Sequence, residues 1–250
     1  MFHEPKIIFH HVPKCAGTSI VTGLALTYYP WRLLRYGRKG FPGALHAPAS
    51  SKVADLHGKD RYAVRRKLLA YFAEKGDSPL ISGHYPFNHK FYDEHHKQWH
   101  FITLLRDPLS RWYSEYLWNR YKDHEYRKTD LTIDEYIESE HGLENARSFV
   151  NFFSQSEDLT ATATQKEVDE SVETLEKMDV VGCLEHLDRF KSDMKKVFKR
   201  KPIFFARNAS PAPKDMQLLP DKNSDTYKKL LNQLQADIEI YTRIKEKLSL

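Results

Sequence analysis

Residues 10–19 read HHVPKCAGTS, a single lysine set between a proline and a run of residues too small to obstruct an approaching ligand. Ala16 and Gly17 let a backbone come close, Thr18 and Ser19 add hydroxyl donors, and Lys14 brings a mobile cation that can follow a leaving oxygen. Such a cradle suits phosphate or sulfate; the competing reading is a plain turn with a solvated lysine. A second stretch, LLRDPLSRWYSEY at 104–116, offers Arg106 at a strand end and Ser114 about two turns into a helix, where both could reach a second phosphate. Arg111 is a further candidate, set against a surface ion pair with Glu115 at i+4.

These residues need elements to position them. The apolar run KIIFHHV is predicted to be a strand, and from Thr18 onward Ile20, Val21, Leu24 and Tyr28 recur at helical spacing. The lysine loop therefore sits at a helix amino terminus, where first-turn amides and the helix dipole converge. PLISGH (79–84), WHFITLLRD (99–107) and DVVGCLE (179–185) read as further strands. Asp107 as N-cap and Pro108 at the first helical position start a helix with the stripe Leu109, Trp112, Tyr113, Tyr116 and Leu117.

Residues 129–178 look helical, with capping boxes at Thr132/Glu135 and Thr164/Glu167, and the chain is expected to end in one long amphipathic helix from Ser224. Residues 30–60, with Gly37, Gly40, Pro42, Gly43 and Pro48, and residues 206–223, with Pro211, Pro213 and Pro220, read as loops. Short apolar runs alternating with helical segments predict an α/β fold, a single domain over 1–250 with a parallel sheet flanked by helices.

The loop is not a Walker A sequence, because the lysine precedes the glycine by three positions instead of following it. Magnesium-dependent nucleotide chemistry loses support accordingly. The pairing of VPKCAGTS with RDPLSRWYSEY some ninety residues later instead resembles the two cofactor signatures of the sulfotransferases that use 3′-phosphoadenosine 5′-phosphosulfate, in particular the carbohydrate group that includes the heparan sulfate 2-O-sulfotransferases.

That resemblance implies a three-layer sandwich of P-loop-NTPase-like sulfotransferase type. It implies that Lys14, Cys15, Ala16, Gly17, Thr18 and Ser19 hold the 5′-phosphosulfate, and that Arg106 and Ser114 hold the 3′-phosphate. SGHYPFN (82–88) resembles the segment carrying the catalytic base, which points to His84, and ARNAS (206–210) resembles a loop over the cofactor, with Asn208 and Ser210 as contacts. Chemistry supports His84 independently, since sulfuryl transfer to an alcohol needs a group to take the hydroxyl proton and an imidazole is suited to that.

His10, His11, His89, His95 and His96 are assigned to surface or packing roles, and no metal is expected. Arg61, Arg65 and Arg66 could cluster on one face of a helix, as a site for an acidic sugar chain or as a solvated basic face. The implied reaction moves a sulfuryl group to an acceptor hydroxyl, with a saccharide as the expected acceptor and adenosine 3′,5′-bisphosphate as product. A nucleotide-dependent phosphotransferase and a catalytically silent anion-binding module are the rivals.

With 250 residues, 40% hydrophobic and 13% aromatic, the chain can bury a full core, and a net charge of +5 is too modest for a dedicated nucleic-acid binder. The two cysteines, Cys15 and Cys183, are expected to be free thiols. Golgi members of the family carry a membrane anchor and disulfides. No run here approaches the roughly 20 apolar residues of a span, so a soluble, cytoplasmic protein is expected.

Overall fold

In the computed structural model the runs IIFH, LISG, HFITLL and VVGC become four strands, β1 (Ile7–His10), β2 (Leu80–Gly83), β3 (His100–Leu105) and β4 (Val180–Cys183). Almost every residue in them is buried, the pattern of parallel strands covered on both faces. The structure describes residues 4–156, 158–205, 210–217 and 219–250, and of Arg38, Asp215 and Gln217 the backbone alone. The strands pair in the order β2-β1-β3-β4, all parallel. β2 lies on one side of β1 and β3 on the other, so the winding reverses at β1, and crevices at the carboxyl ends of strands beside such a switch are where open α/β sheets bind ligands.

The helices in chain order are α1 (Gly17–Tyr28), α2 (Pro30–Tyr36), α3 (Ala47–Leu56), α4 (Arg61–Lys75), α5 (His89–His95) and α6 (Pro108–Tyr121). Next come α7 (Ile133–Glu138), α8 (Glu140–Ala146), α9 (Ser148–Phe153), α10 (Gln165–Lys177), α11 (Leu187–Phe198), α12 (Asp225–Gln233) and α13 (Gln235–Lys247). Among the described residues no helix is long and apolar enough to cross a membrane. The chain divides into two compact units, Met1–Leu105 with Glu176–Arg207, and Arg106–Leu175 with Asn208–Leu250.

The first unit contains the whole sheet. Ile7, Phe9, Ile102, Leu104 and Val180 of the strands form one core with Ile20 and Leu24 of α1 and Phe190 and Met194 of α11. The expectation of loops over 30–60 is corrected, since α2, a 3-10 turn at Gly37–Gly40 and α3 lie there. Pro30 and Pro48 sit in the first turns of α2 and α3, where a missing N–H costs nothing, and His46 caps α3 by accepting from the Ala49 N–H. Prolines that look like breakers in sequence are helix starters here.

In α4 the basic face is not left to solvent. Arg65 is buried, donating from Nε to Ser50 Oγ at 3.0 Å, and Arg66 Nε donates to the Phe87 carbonyl at 3.1 Å. Asp60 caps this helix through the Tyr62 and Ala63 amides.

In the second unit α6 begins as expected, with the Asp107 carboxylate accepting from the Ser110 N–H and Pro108 in the first turn, and its aromatic stripe is buried. Both capping boxes form, Thr132 with Glu135 and Thr164 with Glu167. The expected final helix is instead two, α12 and α13, meeting at the buried Leu234. Asp237, in the first turn of α13, accepts from the Phe149 N–H at 3.0 Å and the Val150 N–H at 3.4 Å, satisfying early amides of α9. Arg111 pairs with Glu115 at 3.4 Å as foreseen, but in the interior. It is fully buried, donates to Asn145 Oδ1 at 2.8 Å and to the Asn145 carbonyl, and lies 3.8 Å from Asp237. Those partners commit Arg111 to holding α6 against α8 and α13, which overturns it as a phosphate candidate.

Candidate functional site

The loop from His11 to Ala16 leaves the carboxyl end of β1 and enters α1 through two residues in the left-handed region, Lys14 at φ 65° and Ala16 at φ 56°. Neither has the freedom of glycine, and the left-handed conformation costs an ordinary residue about 1–2 kcal/mol. Strain of that kind persists where surrounding structure enforces it, and functional loops are where it gathers. Between Lys14 and Ala16 the Cys15 N–H donates to the Val12 carbonyl at 3.3 Å, which closes the loop on itself. The first i→i−4 bond of α1 runs from the Ile20 N–H to the Ala16 carbonyl at 3.1 Å, so the amides at 17–19 precede the helical ladder. Thr18 is exposed at this end, Ser19 is buried beneath it, and Lys14 is half-buried.

Cys15 points the other way. Its side chain is fully buried, with Sγ 3.7 Å from the Pro13 carbonyl, so it fills space under the loop and can offer a ligand only its backbone. Cys183 is likewise buried, and neither cysteine is in a disulfide.

His84 follows β2 directly. The register of the sheet pairs His10 with Gly83, so the next residues along, His11 and His84, emerge side by side at the carboxyl edge. Their rings lie 4.6 Å apart between centroids, and His84 Nδ1 is 2.8 Å from the His11 carbonyl oxygen. A carbonyl can only accept, so Nδ1 carries a proton, and in the neutral ring Nε2 is the nitrogen with the lone pair, the tautomer a general base requires. Gly83 makes this exit possible. Its φ of 146° is one that side chains rarely adopt, and a Cβ there would meet Leu45 Cβ at 2.5 Å.

His11, given only a surface or packing role by the sequence reading, sits at the centre of this arrangement. Its ring stacks on Phe9 at 5.7 Å and covers Gly17 so closely that a Cβ on Gly17 would meet His11 Nε2 at 1.8 Å. Gly17 is thus required for the space of an imidazole. Burial, followed by the charges of His84 and Lys14, holds the His11 pKa well below the usual imidazole range. A neutral His11 leaves Lys14 as the cation of the loop. The signal for it in sequence was its place directly after a buried strand and three residues before the lysine.

His10 takes the packing role expected. Fully buried between Phe87 and Phe101, it donates from Nδ1 to the Tyr85 carbonyl at 2.8 Å, and burial lowers its pKa to about 4.

The remaining expected contacts lie in the second unit. Arg106 follows the last residue of β3 and is half-buried, and Ser114 is half-buried on α6. Ser210 Oγ accepts from the Ala212 N–H at 3.3 Å, closing a local turn. Asn208 lies outside the described residues. Among the described residues no group of three His, Cys, Asp or Glu side chains is placed to hold a metal ion.

In comparison with known proteins, no family model matches this chain and no curated protein matches it.

Proposed function

We propose that the chain is a sulfotransferase that moves the sulfuryl group of 3′-phosphoadenosine 5′-phosphosulfate to an acceptor hydroxyl by in-line displacement, with a saccharide as the acceptor class. In this reading the four-stranded parallel sheet belongs to a P-loop-like sulfotransferase sandwich acting in the cytoplasm. The observation that carries it is the juxtaposition in the first unit of His84, with its tautomer set by the His11 carbonyl, and the strained loop at the amino end of α1, with the His11 ring between them.

The donor set fits the group. The turn entering α1 offers backbone amides and the Thr18 hydroxyl to a sulfate or phosphate, and Lys14 supplies a cation on the same loop. Resemblance adds Arg106 and Ser114 for the 3′-phosphate. The nucleotide, when bound, supplies an activated sulfuryl group on a phosphate leaving group.

The protein's own part is proton transfer and charge stabilisation. His84 Nε2 takes the proton of the acceptor hydroxyl, and the resulting imidazolium is held by its Nδ1–H bond to the His11 carbonyl. Lys14 stabilises charge at the departing oxygen. In this reading no metal is required, because the helix terminus and the lysine provide the positive field.

A thermal-shift comparison tests the reading. Adenosine 3′,5′-bisphosphate is expected to raise the melting temperature and ATP with magnesium is not, ligand at 100 times its dissociation constant adding about 2.7 kcal/mol. Stabilisation by ATP with magnesium alone would indicate a phosphotransferase. Binding without sulfate transfer to any saccharide, phenol or lipid hydroxyl would indicate an anion-binding module.

A further inference from the structure

From residue 5 to residue 54 the sequence contains no aspartate or glutamate but seven lysines and arginines, Lys6, Lys14, Arg32, Arg35, Arg38, Lys39 and Lys52. In the middle of this stretch lies α2, a seven-residue helix with no buried residue. A helix so short is marginal in water and normally survives by packing an apolar face, yet of its large apolar side chains α2 half-buries Leu33 alone and turns the others outward. Trp31 is 72% exposed and Leu34 78%, and their i,i+3 spacing places them on one face, with Tyr36 50% exposed just beyond.

The inward hold is polar. Arg32 donates to the Asp77 carbonyl at 3.1 Å and pairs with Glu4 at 3.5 Å, while Pro30 starts the helix. The outward face carries exposed Arg35, whose guanidinium lies 5.2 Å from the Tyr36 ring centroid, and exposed Lys39 follows in the 3-10 turn.

Exposed tryptophan, leucine and tyrosine interleaved with cations, with no acid nearby in the chain, match two demands of one surface. Apolar side chains at the headgroup boundary gain from leaving water, and basic residues gain from the negative potential of anionic lipid. A polyanionic saccharide would use the cations and the aromatic faces but has no use for Leu34, the most exposed of the three. We infer that α2 and the turn after it, through Trp31, Leu34, Arg35, Tyr36 and Lys39, form a peripheral docking surface for an anionic lipid bilayer. The residues lie on the surface and span nothing. The inference does not depend on sulfuryl transfer, and none of these side chains belongs to the site around His84.

The test is flotation of the full chain with vesicles of phosphatidylserine and phosphatidylcholine in equal parts, beside vesicles of phosphatidylcholine alone. Binding is expected to the first, to weaken as salt is raised, and to fall by at least about tenfold in Trp31→Ala/Leu34→Ala and again in Arg35→Glu. Because these side chains are exposed, the variants should keep the wild-type melting temperature, and their anion-loop binding of adenosine 3′,5′-bisphosphate should match wild type. No phosphatidylserine-dependent flotation, or flotation undiminished in Trp31→Ala/Leu34→Ala, overturns the inference. Retention on heparin without vesicle binding overturns it in favour of a saccharide-binding face.

Discussion

His84 and His11 are joined twice, by a 2.8 Å contact from His84 Nδ1 to the His11 carbonyl and by rings 4.6 Å apart. The backbone contact orients the imidazole and decides which nitrogen carries the proton. The ring contact links His84 to Gly17 at the start of α1, so the proposed base and the proposed anion loop share one residue as their common wall.

His84→Ala should lower turnover by about 10²–10⁴-fold, the usual contribution of a general base, while leaving the affinity for adenosine 3′,5′-bisphosphate within a few-fold of wild type. Lys14→Ala should weaken both. Turnover by sulfate release and affinity by calorimetry separate the two, and a fully active His84→Ala would remove the histidine from this role.

Gly17→Ala forces a methyl into the space of the His11 ring, a 1.8 Å encounter that only movement of the loop or ring can relieve. Overpacking of this kind costs about 1–3 kcal/mol. Shortening the obstructing side chain should restore much of that, so the double variant Gly17→Ala/His11→Ala is expected to be more stable than the sum of the single changes predicts. Additive urea-denaturation free energies would show that the two residues do not oppose each other.

Acid should destabilise the protein through His10. Its folded pKa of about 4 lies below the ordinary 6.5 because burial penalises the charged ring. Between those values the unfolded chain binds the proton and the folded chain does not, so stability falls as the pH drops through about 6.5 and levels off below about 4. The gap corresponds to at most roughly 3 kcal/mol. His11, lowered in the same direction, adds to the effect. Measured at about pH 7.5 and about pH 4.5, the loss should be smaller in His10→Gln than in wild type; an equal loss in both would assign the acid sensitivity to other groups.

In the second unit Asp237→Ala would take from buried Arg111 one of its two carboxylate partners, leaving Glu115, and strip early amides of α9 of their acceptor. Breaking a buried pair from one side costs about 3–5 kcal/mol. Chemical denaturation should register that loss, and a change below about 1 kcal/mol would show that Glu115 alone compensates Arg111.

Local patterns in the chain determined much of this protein. Continuous apolar runs marked all four strands, because a parallel strand is buried on both faces, and Asp107-Pro108, Thr132/Glu135 and Thr164/Glu167 marked helix starts through short-range hydrogen bonds that sequence neighbours complete by themselves. The loop from Lys14 to Ser19 was legible for the same reason, since small residues before a helix act within one turn of chain. Tertiary structure alone decided which polar residues stand at the carboxyl edge of the sheet and which are consumed inside. Arg111 and Arg65 look alike in sequence to a surface cation, and only the groups brought against them from residues 145, 237 and 50 show them to be buried ties. The role of His11 depended on register: His10 beside Gly83 brings together two residues separated by more than seventy positions, and no periodicity along one strand encodes its neighbour's alignment.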